Sequence, residues 1–125
     1  MPECLRIIIA GSRTITDYRI LLLAITNAIV SSFITPSYSF EIVSGGAIGV
    51  DTLARRYAHD CNYLLTEMKP KYKSKYDPTA PLRRNIDIAN YGDILIAVWD
   101  GKSAGTKHII NYMKNLGKPV FIHII

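Results

Sequence analysis

Five short apolar blocks alternate along this chain with segments of mixed, helix-like character. Leu5-Arg6-Ile7-Ile8-Ile9-Ala10, Phe40 to Ser44, Tyr63 to Glu67, Asp93 to Trp99 and Val120 to Ile124 each read as a strand. The first is interrupted only by Arg6, and the run Ile94-Leu95-Ile96-Ala97-Val98-Trp99 is the clearest. Runs of this kind, bounded by glycine, suit strands buried on both faces of a parallel sheet. Between them lie four predicted helices. Thr16-Asp17 offers a cap for Tyr18 to about Phe33, and a second helix runs from about Gly49 to Cys61 with Leu53, Ala54, Tyr57 and Ala58 on its inner stripe. A third helix begins at Pro81, where proline suits a first turn, and ends near Asn90. The fourth covers Thr106 to Leu116 and is closed by Gly117. Pro36 to Ser39 reads as a turn, and Lys69 to Thr79 as a loose loop.

The first helix departs from the usual pattern. Ile20 to Ile25, Ala28-Ile29-Val30 and Phe33-Ile34 make it apolar nearly all round, where a surface helix would carry a polar face. Such a helix is either sandwiched within the fold or covered by a second subunit. In so small a chain the second is favoured, so homo-oligomerisation through Tyr18–Phe33 is expected.

The β-α alternation predicts an α/β, Rossmann-like three-layer sandwich: a five-stranded parallel sheet with helices on both faces, in the order 3-2-1-4-5. Ligands of such sheets sit outside the carboxyl ends of the strands, where strand order reverses. Strands one, two and four end there in glycine turns: Gly11-Ser12-Arg13, Ser44-Gly45-Gly46 and Asp100-Gly101-Lys102. The stretch Ile42 to Ala54 carries glycines at 45, 46 and 49 ahead of a helix start, which makes an anion site for a phosphate. The spacing is neither Gly-x-Gly-x-x-Gly nor a P-loop. Three glycines could equally do no more than permit a tight strand-to-helix turn.

Composition narrows the class. The 125 residues, 49% hydrophobic and 20% charged, suit one globular domain spanning 1–125. The longest apolar runs are too short to cross a bilayer and no leader pattern opens the chain, so a cytoplasmic protein without a membrane partner is expected. Cys4 and Cys61 lack metal-ligand or redox spacing, and His59, His108 and His123 are scattered. No metal and no cofactor are expected. The net charge of +5 suits an anionic ligand. Lys69, Lys71, Lys73 and Lys75 crowd one loop with Tyr72 and Tyr76, and Arg83 and Arg84 follow. Basic residues interleaved with aromatics could track a nucleic acid. They could also be a solvated loop that keeps the protein soluble.

Taken together, Gly11-Ser12-Arg13, Val43-Ser44-Gly45-Gly46-Ala47-x-Gly49-Val50-Asp51-x-Leu53-Ala54, Pro81-Leu82-Arg83-Arg84-Asn85, Gly92-Asp93-x-Leu95-Ile96-Ala97, Asp100-Gly101-x-Ser103-x-Gly105-Thr106 and Gly117-Lys118-Pro119-Val120 resemble the SLOG superfamily. This Rossmann-like group takes in DprA, the LOG ("lysine decarboxylase-like") proteins and the YspA-like single domains, the last being most similar in length and in the Gly-Ser-Arg opening. The resemblance implies binding of a nucleotide or nucleotide-derived signal. It carries over Gly45, Gly46 and Gly49 as a phosphate cradle, Gly105-Thr106 as a second helix N-terminus with a hydroxyl, and Arg13 and Arg84 as charge partners. Gly11, Ser12, Ser44, Ala47, Asp51, Asn85, Asp100, Gly101 and Ser103 complete the implied site. Asp51 reads more readily as a dipole partner in the first helical turn than as a ribose contact. Asp100 could grip a ribose hydroxyl or shape its turn, and Asn85 could hold neighbouring loops through its amide.

One departure bears on chemistry. LOG phosphoribohydrolases carry a glutamate three residues after Gly-Thr, a carboxylate that glycosidic cleavage needs, and here that position is Ile109. No catalytic residue is assigned. The leading expectation is therefore capture of an ADP-ribose-like or cyclic nucleotide by a sensor or sequestering protein. An N-glycosidase or nucleotide phosphoribohydrolase using another carboxylate is the first alternative. A DprA-like single-stranded DNA binder using the Lys69–Lys75 loop is the second.

Overall fold

The computed structural model describes residues 4–32 and 39–125. Phe33, Ile34 and the turn expected from Pro36 lie outside the described residues. The elements run β1 (Cys4–Gly11), α1 (Tyr18–Ser32), β2 (Ser39–Ser44), α2 (Val50–Asp60), β3 (Leu64–Glu67), α3 (Ala80–Tyr91), β4 (Ile94–Trp99), α4 (Ala104–Asn115) and β5 (Val120–Ile124). All strand pairs are parallel, in the order β3-β2-β1-β4-β5. β1 and β4 are therefore the pair between which the chain reverses its direction of travel across the sheet. This is where a crevice opens in folds of this kind.

Side-chain alternation divides the core into two. Ile7, Ile9, Ile42, Ile96 and Val98 face α1 and α2, while Ile8, Val43, Leu95 and Ala97 face α3 and α4. Burial on both faces is what makes these strands read as solid apolar blocks. Each isoleucine, leucine or valine among them contributes about 1.5–3 kcal/mol through burial. β1 extends one residue beyond its apolar run, to Gly11, which pairs with Val98. A Cβ at Gly11 would stand 2.1 Å from the Val98 carbonyl oxygen, so only glycine lets the strands stay that close.

α1 presents Leu21, Ala24, Ile25 and Ala28 to the sheet, a stripe at helical spacing. Tyr18, Ile20 and Ile29 pack partly against the same cluster, whereas Leu22, Leu23 and Val30 point outward, with Leu23 52% and Val30 70% exposed. The helix is thus not sandwiched within the fold. No helix among the described residues is long and apolar enough to cross a membrane.

Two polar arrangements fix α3. Lys118 Nζ donates to the carbonyls of Ala89, Asn90 and Gly92 at 2.7, 3.1 and 2.8 Å, complementing the negative helix end. Glu41, buried on β2, accepts from the Thr66 hydroxyl at 2.8 Å and from the Tyr91 hydroxyl, while the Arg6 guanidinium lies over the Tyr91 ring. Through its Oε2 that carboxylate ties α3 to the sheet.

Candidate functional site

A cavity of about 400 Å³ lies at the carboxyl ends of β1 and β2, walled by the first turns of α3 and α4. It falls in the range of small-ligand sites. Ile8, Ile88 and Ile109 make part of its lining apolar. Its polar lining comes from four segments: Gly11, Arg13 and Thr14; Ser44, Gly45, Ala47 and Asp51; Arg84 and Asn85; and Ser103, Gly105 and Thr106. Eleven of the residues expected from sequence are thus brought together around one space. Ser12, Gly46, Gly49, Asp100 and Gly101 are not among its lining. Thr14, Pro81, Leu82, Ala104 and Ile109 line it without having been expected as ligand-binding residues. Of these, Ala104 was within reach of sequence reasoning, since the first amides of a helix point along its axis wherever the helix is taken to begin.

The two helix starts at this end differ. At α2 several of the amides are already taken. Val50 N donates to the Ser12 carbonyl, Ala47 N to Asp51 Oδ2 at 3.1 Å, and Gly46 N to Ser44 Oγ at 3.2 Å. These bonds leave the turn fewer amides for a phosphate than its three glycines suggest. Asp51, four residues on, reaches back into the turn and supplies the anion that the turn's geometry attracts. Gly49 (φ +77°) packs onto the neighbouring turn: a Cβ there would stand 2.5 Å from the backbone of Arg13 and Ser12. Burial pushes the Asp51 carboxyl above its usual range, opposed by the Ala47 amide and Arg84.

At α4 the start is open. The helix begins at Ala104, two residues earlier than Gly-Thr suggests, because Asp100 Oδ1 accepts from the amides of Lys102 and Ser103, both at 2.8 Å, and turns the chain early. These contacts hold the Asp100 carboxyl down to about 2. Ser12 Oγ accepts from Asp100 N at 3.0 Å and lies 3.2 Å from Ser103 Oγ, so the β1 and β4 turns are locked together. Trp99 Nε1 donates to the Ser103 carbonyl at 3.1 Å and steadies the same turn. No side chain caps α4. Its first amides border the cavity together with Thr106, a largely buried residue whose hydroxyl has no partner among the described residues. A Cβ at Gly105 would meet nothing within 4 Å.

Two guanidinium groups complete the arrangement. Arg84 Nη1 donates to the Gly45 carbonyl at 2.9 Å, and Nε to Asn85 Oδ1 at 3.0 Å. Gly45 makes room for it, since a Cβ there would stand 2.5 Å from Nη1. Asn85, buried, passes the connection on to the Gly105 carbonyl at 3.2 Å and so joins α3 to α4. Arg13 is exposed and has no hydrogen-bond or ion-pair partner among the described residues. Burial lowers the pKa of Arg84, and the like charge of Arg13 acts in the same direction. Against these two cations the lining carries one carboxylate, Asp51. An excess of positive charge beside free helix amides is suited to an oxyanion.

The basic loop is not loose. Asp77 accepts from Lys73 N, Thr79 N and Arg83 Nη2, the last at 2.7 Å, and Arg83 Nη2 also reaches the Lys71 carbonyl at 3.1 Å. Arg83 holds the Asp77 carboxyl well below its usual range. No group of three or more histidine, cysteine, aspartate or glutamate side chains suited to a metal occurs among the described residues.

None of the known family profiles matches the chain. Gene 61 protein of Mycobacterium phage D29 is 28% identical over 120 residues, covering 92% of this chain and 93% of that protein. The SPbeta prophage-derived protein YoqJ of Bacillus subtilis is 21% identical over 131 residues, covering 70% of this chain and 77% of that one. Among solved structures, DNA processing protein A (DprA) of Helicobacter pylori, described in terms of its single-stranded DNA binding mode, superposes with a TM-score of 0.68 at 22% identity. The match covers 94% of this chain and 64% of that one. The structural-genomics protein TM1055 gives a TM-score of 0.65 at 17% identity, over 93% of this chain and 72% of that one.

Proposed function

From the premise that this chain has the SLOG-type fold, we propose that it binds a phosphorylated nucleotide or nucleotide-derived signal, ADP-ribose-like or cyclic, as a sensor or sequestering protein. One observation carries this reading: Arg13, Arg84 and the uncapped start of α4 converge on a single cavity of ligand size. The phosphate takes the α4 amides and the Thr106 hydroxyl, with the two guanidinium groups as its counter-charge. The turn before α2 serves as the frame that holds Arg84. The apolar lining from Ile8, Ile88 and Ile109 receives the less polar part of the ligand. Self-association through the outward apolar face of α1 belongs to the same reading.

Cleavage of the ligand is the competing reading. It would have to run through Asp51, the carboxylate bordering the cavity, because Ile109 is 2% exposed and offers no base. Mass spectrometry of nucleotides released from the purified protein by denaturation separates the two. An intact nucleotide in one-to-one ratio, unchanged over a time course, is expected. Free base or ribose phosphate would favour the enzyme. Gly105→Leu supplies the control: its side chain projects into open cavity space, so the variant is expected to fold and to lose the ligand.

A further inference from the structure

Building on that nucleotide-binding reading, we propose that the cavity is one half of a two-part site. The groove beside the Lys69–Thr79 loop would receive a second nucleotide unit, joined to the first by a phosphodiester. The starting observation is a shared wall. A groove of about 1030 Å³ runs between this loop and α3, and Arg84 borders both it and the cavity. Its Nη1 donates to the Gly45 carbonyl and reaches the Met68 carbonyl at 3.4 Å, while Nη2 has no partner among the described residues. One guanidinium plane thus separates the two spaces and can face an anion in either.

The groove has the chemistry a nucleotide requires. Lys69, Lys71 and Lys73 line it, and none of their ammonium groups is paired among the described residues. Of the two carboxylates on its walls, Glu67 is held by Arg55 at 2.9 Å, which leaves Asp87. Tyr72, flanked in the chain by Lys71 and Lys73, lines the groove together with Arg84 and is 58% exposed. An exposed ring beside a cation in a lysine-lined channel is a stacking platform for a base with its phosphate.

The groove is also preformed. The loop is braced by Asp77 and Arg83, which leaves the side chains of Lys69, Lys71 and Lys73 unspent. A loop whose lysines served only solubility would have no need of that brace around an exposed tyrosine.

Isothermal titration with AMP and with the 5′-phosphorylated dinucleotide pApA tests the proposal. The dinucleotide is expected to bind about tenfold tighter or more, the gain from one stacked base. The double variant Tyr72→Ala, Lys71→Ala is expected to abolish that gain while leaving AMP affinity unchanged. Both side chains are exposed, and the Arg83 brace uses the backbone of Lys71, so thermal unfolding should not shift. Equal affinities for the two probes, or a dinucleotide advantage that survives in the double variant, would overturn the two-part site and leave the cavity reading intact. Failure of wild-type protein to bind either probe would likewise overturn the two-part site, and the cavity reading is then judged separately by the nucleotide released on denaturation. A decamer, pA10, distinguishes the source: no gain over pApA assigns the site to a free dinucleotide, and a further gain to the end of a strand.

Discussion

At the scale of single residues, the two arginines at the cavity mouth play different parts. Arg84 is built into the walls, whereas Arg13 makes no contact that its removal would break. Arg13→Ala is therefore expected to leave the melting temperature unchanged and to weaken nucleotide binding about 10- to 100-fold, the value of a charge-assisted contact. Calorimetry and thermal denaturation of the same variant check both halves. Gly49 is the opposite case. With φ at +77° and backbone atoms 2.5 Å from any Cβ, Gly49→Ala is expected to cost about 2–4 kcal/mol of stability, read from urea unfolding. Asp100 gives a pH signature. Its pKa is lowered in the folded state to about 2, so its contribution is complete above about pH 4 and is lost as pH falls through the folded value. The stability gap between wild type and Asp100→Ala should therefore be constant near neutrality and close below about pH 3. A gap that kept its neutral-pH size at pH 2 would contradict the contacts described for this carboxylate.

At the scale of elements, sequence pattern and structure agree where burial decides and part where a local polar contact decides. The five strands could be read from their apolar blocks because both faces are covered. The early start of α4 could not, since it depends on Asp100 turning back onto two amides, a contact that residue type alone leaves open. The same holds for the Lys69–Thr79 loop. Its composition suggests a loose segment, yet Asp77 and Arg83, six residues apart, make it a braced one. Asp51 is legible as a first-turn carboxylate, but its closure of the turn before α2 depends on the folded backbone. α1 carries a prediction of its own. Its outer face has no charge between Arg19 and the end of the helix, and Leu22, Leu23 and Val30 are exposed there. Two copies of a chain with net charge +5 can meet on that strip without burying like charges. Leu23→Lys is expected to convert an oligomer to a monomer in light scattering after gel filtration. An unchanged mass, or a monomeric wild type, would refute the interface.

At the scale of the whole molecule, strand order is what assembles the site. Four segments far apart in sequence meet because β1, which leads into Ser12-Arg13, lies between β2 and β4 in an all-parallel sheet. That much followed from the alternation of elements. The width of the cavity did not, because it depends on how far α3 stands from α4, a spacing that the Asn85 bridge to Gly105 maintains. With two apolar clusters sharing one sheet, the chain is expected to unfold in urea as a single cooperative transition. Ile8→Ala is expected to lower its stability by about 2–5 kcal/mol with the slope unchanged. Two resolved transitions would indicate that the clusters are separate units.

The indole of Trp99 donates to the very residue that opens α4, and the chain contains no second tryptophan. Its emission therefore originates within one turn of the amides assigned to phosphate. Occupancy of the pocket should register as a change in intrinsic fluorescence, so an unlabelled sample can report its own guest in real time.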